Sequence, residues 1–169
     1  MYYDVFQTNF GWVGIIGDTK TIHKITLPVP DQISCEIECI NSNQSLEHKP
    51  NYLRNLQQDL IRYYQGEKIS FANILLDLIN TKDFPKNVLT ICRSIPYGEV
   101  RTYKWIAKTM GNPKLARPIG NVLSTNNHPI VIPCHRVIRS DGNIGGFAGK
   151  IHPKSLKHYL LKLEGNTNL

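Results

Sequence analysis

Long apolar runs are missing from this sequence. No segment reaches the roughly eighteen consecutive apolar residues that a membrane-spanning helix needs. The opening MYYDVFQTNFGWVG has neither the basic region nor the apolar stretch of a secretory leader. The expectation is a soluble, cytoplasmic protein with no membrane partner. Internal repeats and low-complexity tracts are missing too, which excludes solenoids and linker-like chains. Cysteine is scarce: Cys35, Cys39, Cys92 and Cys134 are the only four in 169 residues. Without a leader they read as reduced thiols rather than a disulfide framework. Cys35 and Cys39, in SCEIEC, have no second pair at metal spacing. His23 and His48 could complete a zinc site with them. The reading adopted is simpler: two small apolar residues facing inward from a strand, Cys92 in a helix core, and no metal or cofactor.

Acidic residues are nearly absent from one half. Residues 101 to 169 carry 11 Lys/Arg against 2 Asp/Glu, a net of +9, whereas residues 1 to 100 carry 9 against 11, a net of −2. Charge polarised in this way is the footprint of a surface that meets phosphates, although a solvated basic face would look the same.

What is present divides the chain in two, an α+β pattern. The segments GWVGIIGD, TIHKITLPV and ISCEIECI alternate or run apolar between Gly, Asp, Pro and Asn, and predict strands. NYLRNLQQDLIRYYQG predicts a helix with Leu53, Leu56, Leu60, Ile61 and Tyr64 on one stripe and Gly66 as its stop. Helices dominate afterwards. Asp83 is expected to cap one that buries Val88, Leu89, Cys92 and Ile95, with Pro85 in its first turn. Thr102 is expected to cap a second, burying Tyr103, Ile106, Ala107 and Met110. After the break GNPK, LARPIGNVLSTN predicts a third, with Leu115, Ile119, Val122 and Leu123 inward. A helix starting near Ala116 tolerates Pro118 in its first turn, whereas one starting at Lys114 would bend there. Helix, short glycine-containing turn, helix is the helix-turn-helix pattern. Its second helix offers Arg117, Gly120, Asn121 and Ser124 outward, small or polar residues that let a phosphate backbone come close. Finally, HPKSLKHYLLKLEG predicts a helix with Leu156, Tyr159, Leu160 and Leu163 on its stripe and Gly165 as its stop. Glu164 sits where the helix dipole disfavours an anion, which points to a specific partner for that carboxylate.

The stretch IVIPCHRVIRSDGNIGGFAGK carries the chemistry. An apolar run, expected to be a buried strand, meets Pro133 and delivers Cys134, His135 and Arg136. A thiol is mostly protonated at neutral pH and needs a base or a positive environment to become a nucleophile. Neighbouring side chains on an extended segment point apart, so Cys134 and His135 need a bend or a bridging water to communicate. Glu164 is the uncommitted carboxylate that could orient the imidazole. Taken alone, a Cys-His dipeptide fits a strand end with a buried thiol and a surface histidine better than a nucleophile and its base.

The company of this dipeptide decides the matter. The sequence resembles the O6-alkylguanine-DNA alkyltransferases through IPYGEVRTYKWIA, GNPKLARPIGNVLSTNNHPIVIPCHRVI, GNIGGFAG and LLKLEG, in order over residues 84 to 165. Residues 1 to 80 match more loosely, in GWVGIIG and LIRYYQGEKISF. The resemblance implies a small ribonuclease H-like α/β domain over 1–80 and a winged-helix-like domain over 84–169. It implies irreversible, single-turnover transfer of an alkyl group from O6-alkylguanine, with O4-alkylthymine as a second candidate, in duplex DNA to a monomeric protein. By position, Cys134 is the implied acceptor, His135 its proton relay through a water, and Glu164 the end of that network. Asn126 braces the turn before the cysteine. Tyr103 crowds the DNA phosphate and assists the departing guanine, while Arg117 replaces the extruded base in the stack. Backbone groups at Cys134, Val137 and Ala148 read the guanine edge. Glycines 142, 145, 146 and 149 allow close backbone approach. Three other readings compete: a damage sensor, which in the family lacks the cysteine; a cysteine hydrolase; and a transcriptional helix-turn-helix protein, for which Pro-Cys-His-Arg has no use.

Overall fold

Short apolar segments rich in β-branched residues, among them Val5, Val13, Ile15, Ile16, Ile22 and Ile25, build the first sheet. In the computed structural model, which describes residues 1–41, 45–147 and 154–167, β1 (Tyr2–Thr8) pairs antiparallel with β2 (Gly11–Gly17), and β2 with β3 (Ile22–Ile25). The two-residue β4 (Glu47–His48) adds in parallel to β1, giving the order β3-β2-β1-β4. β1 lies outside the segments whose pattern predicts strands, and its buried residues include Tyr3, Val5 and Phe6.

ISCEIECI is a helix, not the expected strand: α1 spans Gln32–Ile40. Asp31 caps it by accepting from the Ser34 N–H at 2.8 Å. Cys35 and Cys39 are one turn apart and fully buried against the sheet, among Tyr3, Val5 and Ile16. They face inward as expected, but from a helix. Ile33, Ile37 and Ile40, the other apolar residues of the segment, stay exposed. The helix lies so close that a Cβ on Gly14 would sit 2.3 Å from Cys39 Sγ. α2 (Arg54–Tyr64) buries Leu56, Leu60, Tyr63 and Tyr64, and ends at Gly66, whose φ of 94° suits glycine. These elements belong to one compact unit, Met1–Asp77.

The second unit, Leu78–Leu169, is mostly helical. α3 (Asp83–Arg93) buries Val88, Leu89 and Cys92. Lys82, not Asp83, is its N-cap residue, and Asp83 is already inside the first turn. There the carboxylate complements the helix dipole without capping a backbone N–H. β5 (Arg101–Thr102) leads into α4 (Tyr103–Thr109), which Thr102 caps by accepting from Trp105 N–H at 3.0 Å. A left-handed Gly111 and a 3-10 turn, Pro113–Leu115, then lead into α5 (Ala116–Ser124). The helix starts at Ala116, so Pro118 lies in its first turn, where its missing N–H has no intrahelical partner to lose. α5 buries Ile119 and Leu123, with Leu115 and Val122 half-buried.

Ile130, Val131 and Ile132 are buried but do not form the expected strand. Ile130 has φ 71°, and only an isolated bridge joins Pro129 to Ile132. The backbone turns here, and the turn continues as the 3-10 turn Cys134–Arg136. β6 (Val137–Ile138) follows and pairs in parallel with β5. α6 (Lys154–Leu163) buries Lys157, Leu160 and Leu161. Tyr159, expected on the buried stripe, is 56% exposed because the inward face runs through Lys157 instead. Gly165, φ 92°, terminates it. Among the described residues no helix is long and apolar enough to cross a membrane. Among them, too, no three His, Cys, Asp or Glu residues converge as metal ligands.

Candidate active site

Cys134 opens the 3-10 turn, its N–H bonded to Ile132 O at 2.8 Å. The turn supplies the bend that an extended Cys-His pair lacks. Asn126, just beyond α5, holds this geometry: its Nδ2 donates to Ile132 O at 2.9 Å and to Cys134 Sγ at 3.2 Å. Its Oδ1 accepts from His128 N–H at 3.0 Å. One amide side chain therefore fixes the turn and directs a donor at the sulfur. Cys134 is buried, and burial pushes its thiol up; the Asn126 hydrogen bond and the Lys157 charge work against that rise.

Behind the thiol lies a closed polar network. His135 is fully buried, and its Nε2 lies 2.8 Å from Glu164 Oε1. Arg136 donates to Glu164 twice, from Nε at 2.8 Å and from Nη2 at 2.9 Å, and from Nη1 to Ile95 O at 2.6 Å. Gly98 N–H adds a fourth hydrogen bond to Glu164, at 3.1 Å. Burial alone would raise the Glu164 carboxyl, but the bonds from His135 and Arg136 bring it down to about 2. Burial pushes His135 the other way, below its ordinary value, against the pull of Glu164. The pair is thus a carboxylate and a neutral imidazole. An ionised carboxylate only accepts, so Nε2 carries the proton and Nδ1 presents the lone pair. Phe147 meets the His135 ring edge-on, centroids 6.5 Å apart.

Tyr103, the first residue of α4, lies half-buried at a cavity of about 500 Å³. Burial, followed by the neighbouring thiols, raises its phenol, so it stays protonated and able to donate. Arg117, Gly120 and Asn121 line the same cavity from α5, and Gly145 and Gly146 from the segment after β6. Ser124 does not line it; its hydroxyl donates to Asn121 O at 2.7 Å. Gly145 has φ 72°, a conformation that selects glycine. Val137 is buried in β6. Ala148 and Gly149 lie outside the described residues.

Two side chains here went unassigned in the sequence. Arg136 is the hub of the carboxylate network. Lys157 is fully buried, donating from Nζ to Val137 O at 2.6 Å and to Gly146 O at 3.3 Å. Burial lowers its amine to about 8, and its Nζ stands 6.0 Å from the centroid of the Tyr103 ring. It ties β6 to the glycine segment and places positive charge behind the thiol. A lysine three and four residues before Leu160 and Leu161, on the buried stripe of α6, was the available signal.

A buried thiol with a fixed amide donor, a buried base and a helix-turn-helix beside it defines a cysteine-based transferase or hydrolase on a nucleic-acid-binding scaffold. Comparison narrows this. The family model described as 6-O-methylguanine DNA methyltransferase, DNA binding domain, matches residues 83–166. The methylated-DNA–protein-cysteine methyltransferase of Methanosarcina acetivorans is 34% identical, over 98% of this chain and 99% of its own. The constitutive enzyme of the same name from Bacillus subtilis is 33% identical, over 96% and 94%. The crystal structure of Mycobacterium tuberculosis OGT in complex with DNA superposes with a TM-score of 0.80 at 27% identity, covering 97% of this chain and 92% of the other. The chain belongs to the methylated-DNA–protein-cysteine methyltransferase family.

Proposed function

We propose that this protein repairs duplex DNA by direct reversal, with Cys134 as the acceptor of the alkyl group of O6-alkylguanine. The observation that carries the reading is the Cys134 environment: a bent backbone, Asn126 Nδ2 at 3.2 Å from the sulfur, and a neutral His135 anchored at 2.8 Å to an ionised Glu164. The target carbon is buried in the duplex, so the nucleotide must leave the stack, at a cost of about a few kcal/mol. Arg117, exposed on α5, stacks in its place and offsets part of that cost. The base enters by way of the cavity between Tyr103, α5 and the glycine segment, and backbone groups of that segment and of Val137 meet its edge.

The thiol proton moves toward His135 Nδ1, and Asn126 and Lys157 stabilise the thiolate that remains. Sulfur attacks the alkyl carbon; the S–C bond forms as the C–O6 bond breaks. The electron pair stays on guanine, and the Tyr103 phenol supplies the proton that neutralises it. The products are a thioether and unmodified guanine. A thioether is chemically inert, so each molecule reacts once, as a monomer with one lesion.

Intact and peptide mass after mixing with excess duplex carrying a single O6-methylguanine tests the reading. One methyl group gained on the Cys134 peptide, stopping at one equivalent, is the expected result. Tight binding with no change in mass would make the protein a damage sensor. Repeated turnover would make it a hydrolase.

A further inference from the structure

Three cationic side chains, Lys104, Arg117 and Arg139, line the cavity that Tyr103 enters, and no carboxylate is among its described lining residues. Lys104 and Arg117 come from the two helices of the helix-turn-helix. Arg139 comes from the segment after β6.

That segment is shaped by its own turn. Arg139 N–H donates to Asn143 O at 2.9 Å, and its carbonyl accepts from Gly142 N–H at 3.2 Å. The Arg139 stem lies against Gly145: a Cβ there would sit 3.3 Å from Arg139 Cγ and 3.6 Å from Cδ. The Tyr103 hydroxyl is 3.7 Å from the same point. Arg139 and Tyr103 therefore converge over one glycine. The packed stem fixes where the guanidinium emerges, while its side chain stays 62% exposed. Its carboxylate neighbour, Asp141, is 3.9 Å away and 53% exposed, a pair that water screens and a stronger anion displaces.

We infer that Arg139 binds a backbone phosphate flanking the flipped nucleotide, opposite the wall that carries Arg117. The inference rests on the DNA-alkyltransferase reading above. A guanidinium offers phosphate a planar fork of donors, and a cation rooted beside Tyr103 meets the strand where the nucleotide turns out. Phosphate contact makes transfer from DNA, more than reaction with a free modified base, depend on Arg139 and on salt.

Single-turnover rates of methyl transfer from O6-methylguanine duplex, measured across a salt series, test this for wild type, Arg139→Gln and Arg139→Lys. Free O6-benzylguanine is the parallel substrate. Arg139→Gln is expected to lower the ratio of duplex rate to free-base rate about tenfold, and to make the log–log salt dependence of duplex binding shallower by about one. Arg139→Lys is expected to restore the salt dependence with part of the rate. An unchanged salt slope overturns the inference. So do equal losses on both substrates, which would assign Arg139 to pocket shape. Faster transfer of bulky alkyl groups at unchanged slope would make it a size gate instead. A wild type that accepts no methyl group would strike the parent reading, not this one.

Discussion

Cys35 and Cys134 are both buried thiols, and they differ in everything that surrounds them. Cys35 sits one helical turn from Cys39 among Tyr3, Val5 and Ile16, with the Thr26 hydroxyl 3.8 Å from its sulfur. Cys134 sits at a backbone turn, with an amide donor directed at its sulfur and the ammonium of Lys157 acting on it. Titration alone would choose wrongly between them. The hydrogen bond with Cys39 lowers the Cys35 thiol, while burial raises that of Cys134. The Cys35 shift is one side of an exchange, because the same hydrogen bond raises Cys39. Two thiols hydrogen-bonded to each other in an apolar core meet no substrate. A nucleophile needs a donor and a base, and of these two thiols Cys134 alone has an amide donor directed at its sulfur and an imidazole beside it in the chain.

The largest effect that would break this contrast is loss of the acceptor. Cys134→Ser is expected to abolish methyl transfer, read as no mass change with excess methylated duplex. Cys35→Ala and Cys39→Ala are expected to retain one full equivalent and to lose only packing, about 1–2 kcal/mol each. That corresponds to a drop of about 2–8 °C in thermal midpoint. A methyl group found on either N-terminal cysteine would reverse the assignment.

Glu164→Gln should act next in size. It keeps the shape but removes the charge that fixes the His135 tautomer. Transfer should slow by at least about tenfold and by no more than the roughly 10²–10⁴ that a complete acid–base contribution supplies, with DNA affinity little changed. Stability should also respond. Glu164 is held at about 2, below the roughly 4.3 of an unfolded Glu. Its contribution is therefore fully present above about pH 5 and is lost as pH falls toward 2. The variant should leave the Arg136 charge uncompensated, lose roughly 3–5 kcal/mol at neutral pH and show a flatter acid limb in denaturation. An unchanged rate would remove Glu164 from the proton path.

Much of the helical framework could be read from local pattern. Thr102, Gly66 and Gly165 mark helix boundaries by capping chemistry and left-handed φ, which act over three or four residues. Other features were hidden because they depend on distant partners. Arg136 meets Ile95 O, 41 residues away, and Glu164 meets Gly98 N–H, 66 residues away. Ile130–Val131–Ile132 has strand propensity, yet tertiary packing sets Ile130 at φ 71°. ISCEIECI fits a period of two, and nothing in its apolar pattern discloses that its three isoleucines remain in solvent. The overlooked signals were Asp31, three residues before Ser34, and the four-residue spacing of the two cysteines.

That spacing yields the smallest and sharpest test of what Cys39 is for. Gly14 donates its N–H to Thr26 Oγ1 at 2.8 Å and accepts from Thr26 N–H at 2.9 Å, so β2 cannot easily retreat from α1. A methyl group on Gly14 would lie 2.3 Å from Cys39 Sγ but 3.3 Å or more from its next neighbours, Thr26 and Cys35. The clash is therefore concentrated on one sulfur. Gly14→Ala is expected to cost about 1–3 kcal/mol through overpacking. Adding Cys39→Ala removes the atom that is struck, so the double variant should be more stable than the sum of the single changes predicts, by about 1 kcal/mol in a denaturant cycle. Additive losses would mean that the strain is taken up by the backbone. In that case the close approach of α1 to β2, rather than the volume of a thiol, would be what position 39 protects.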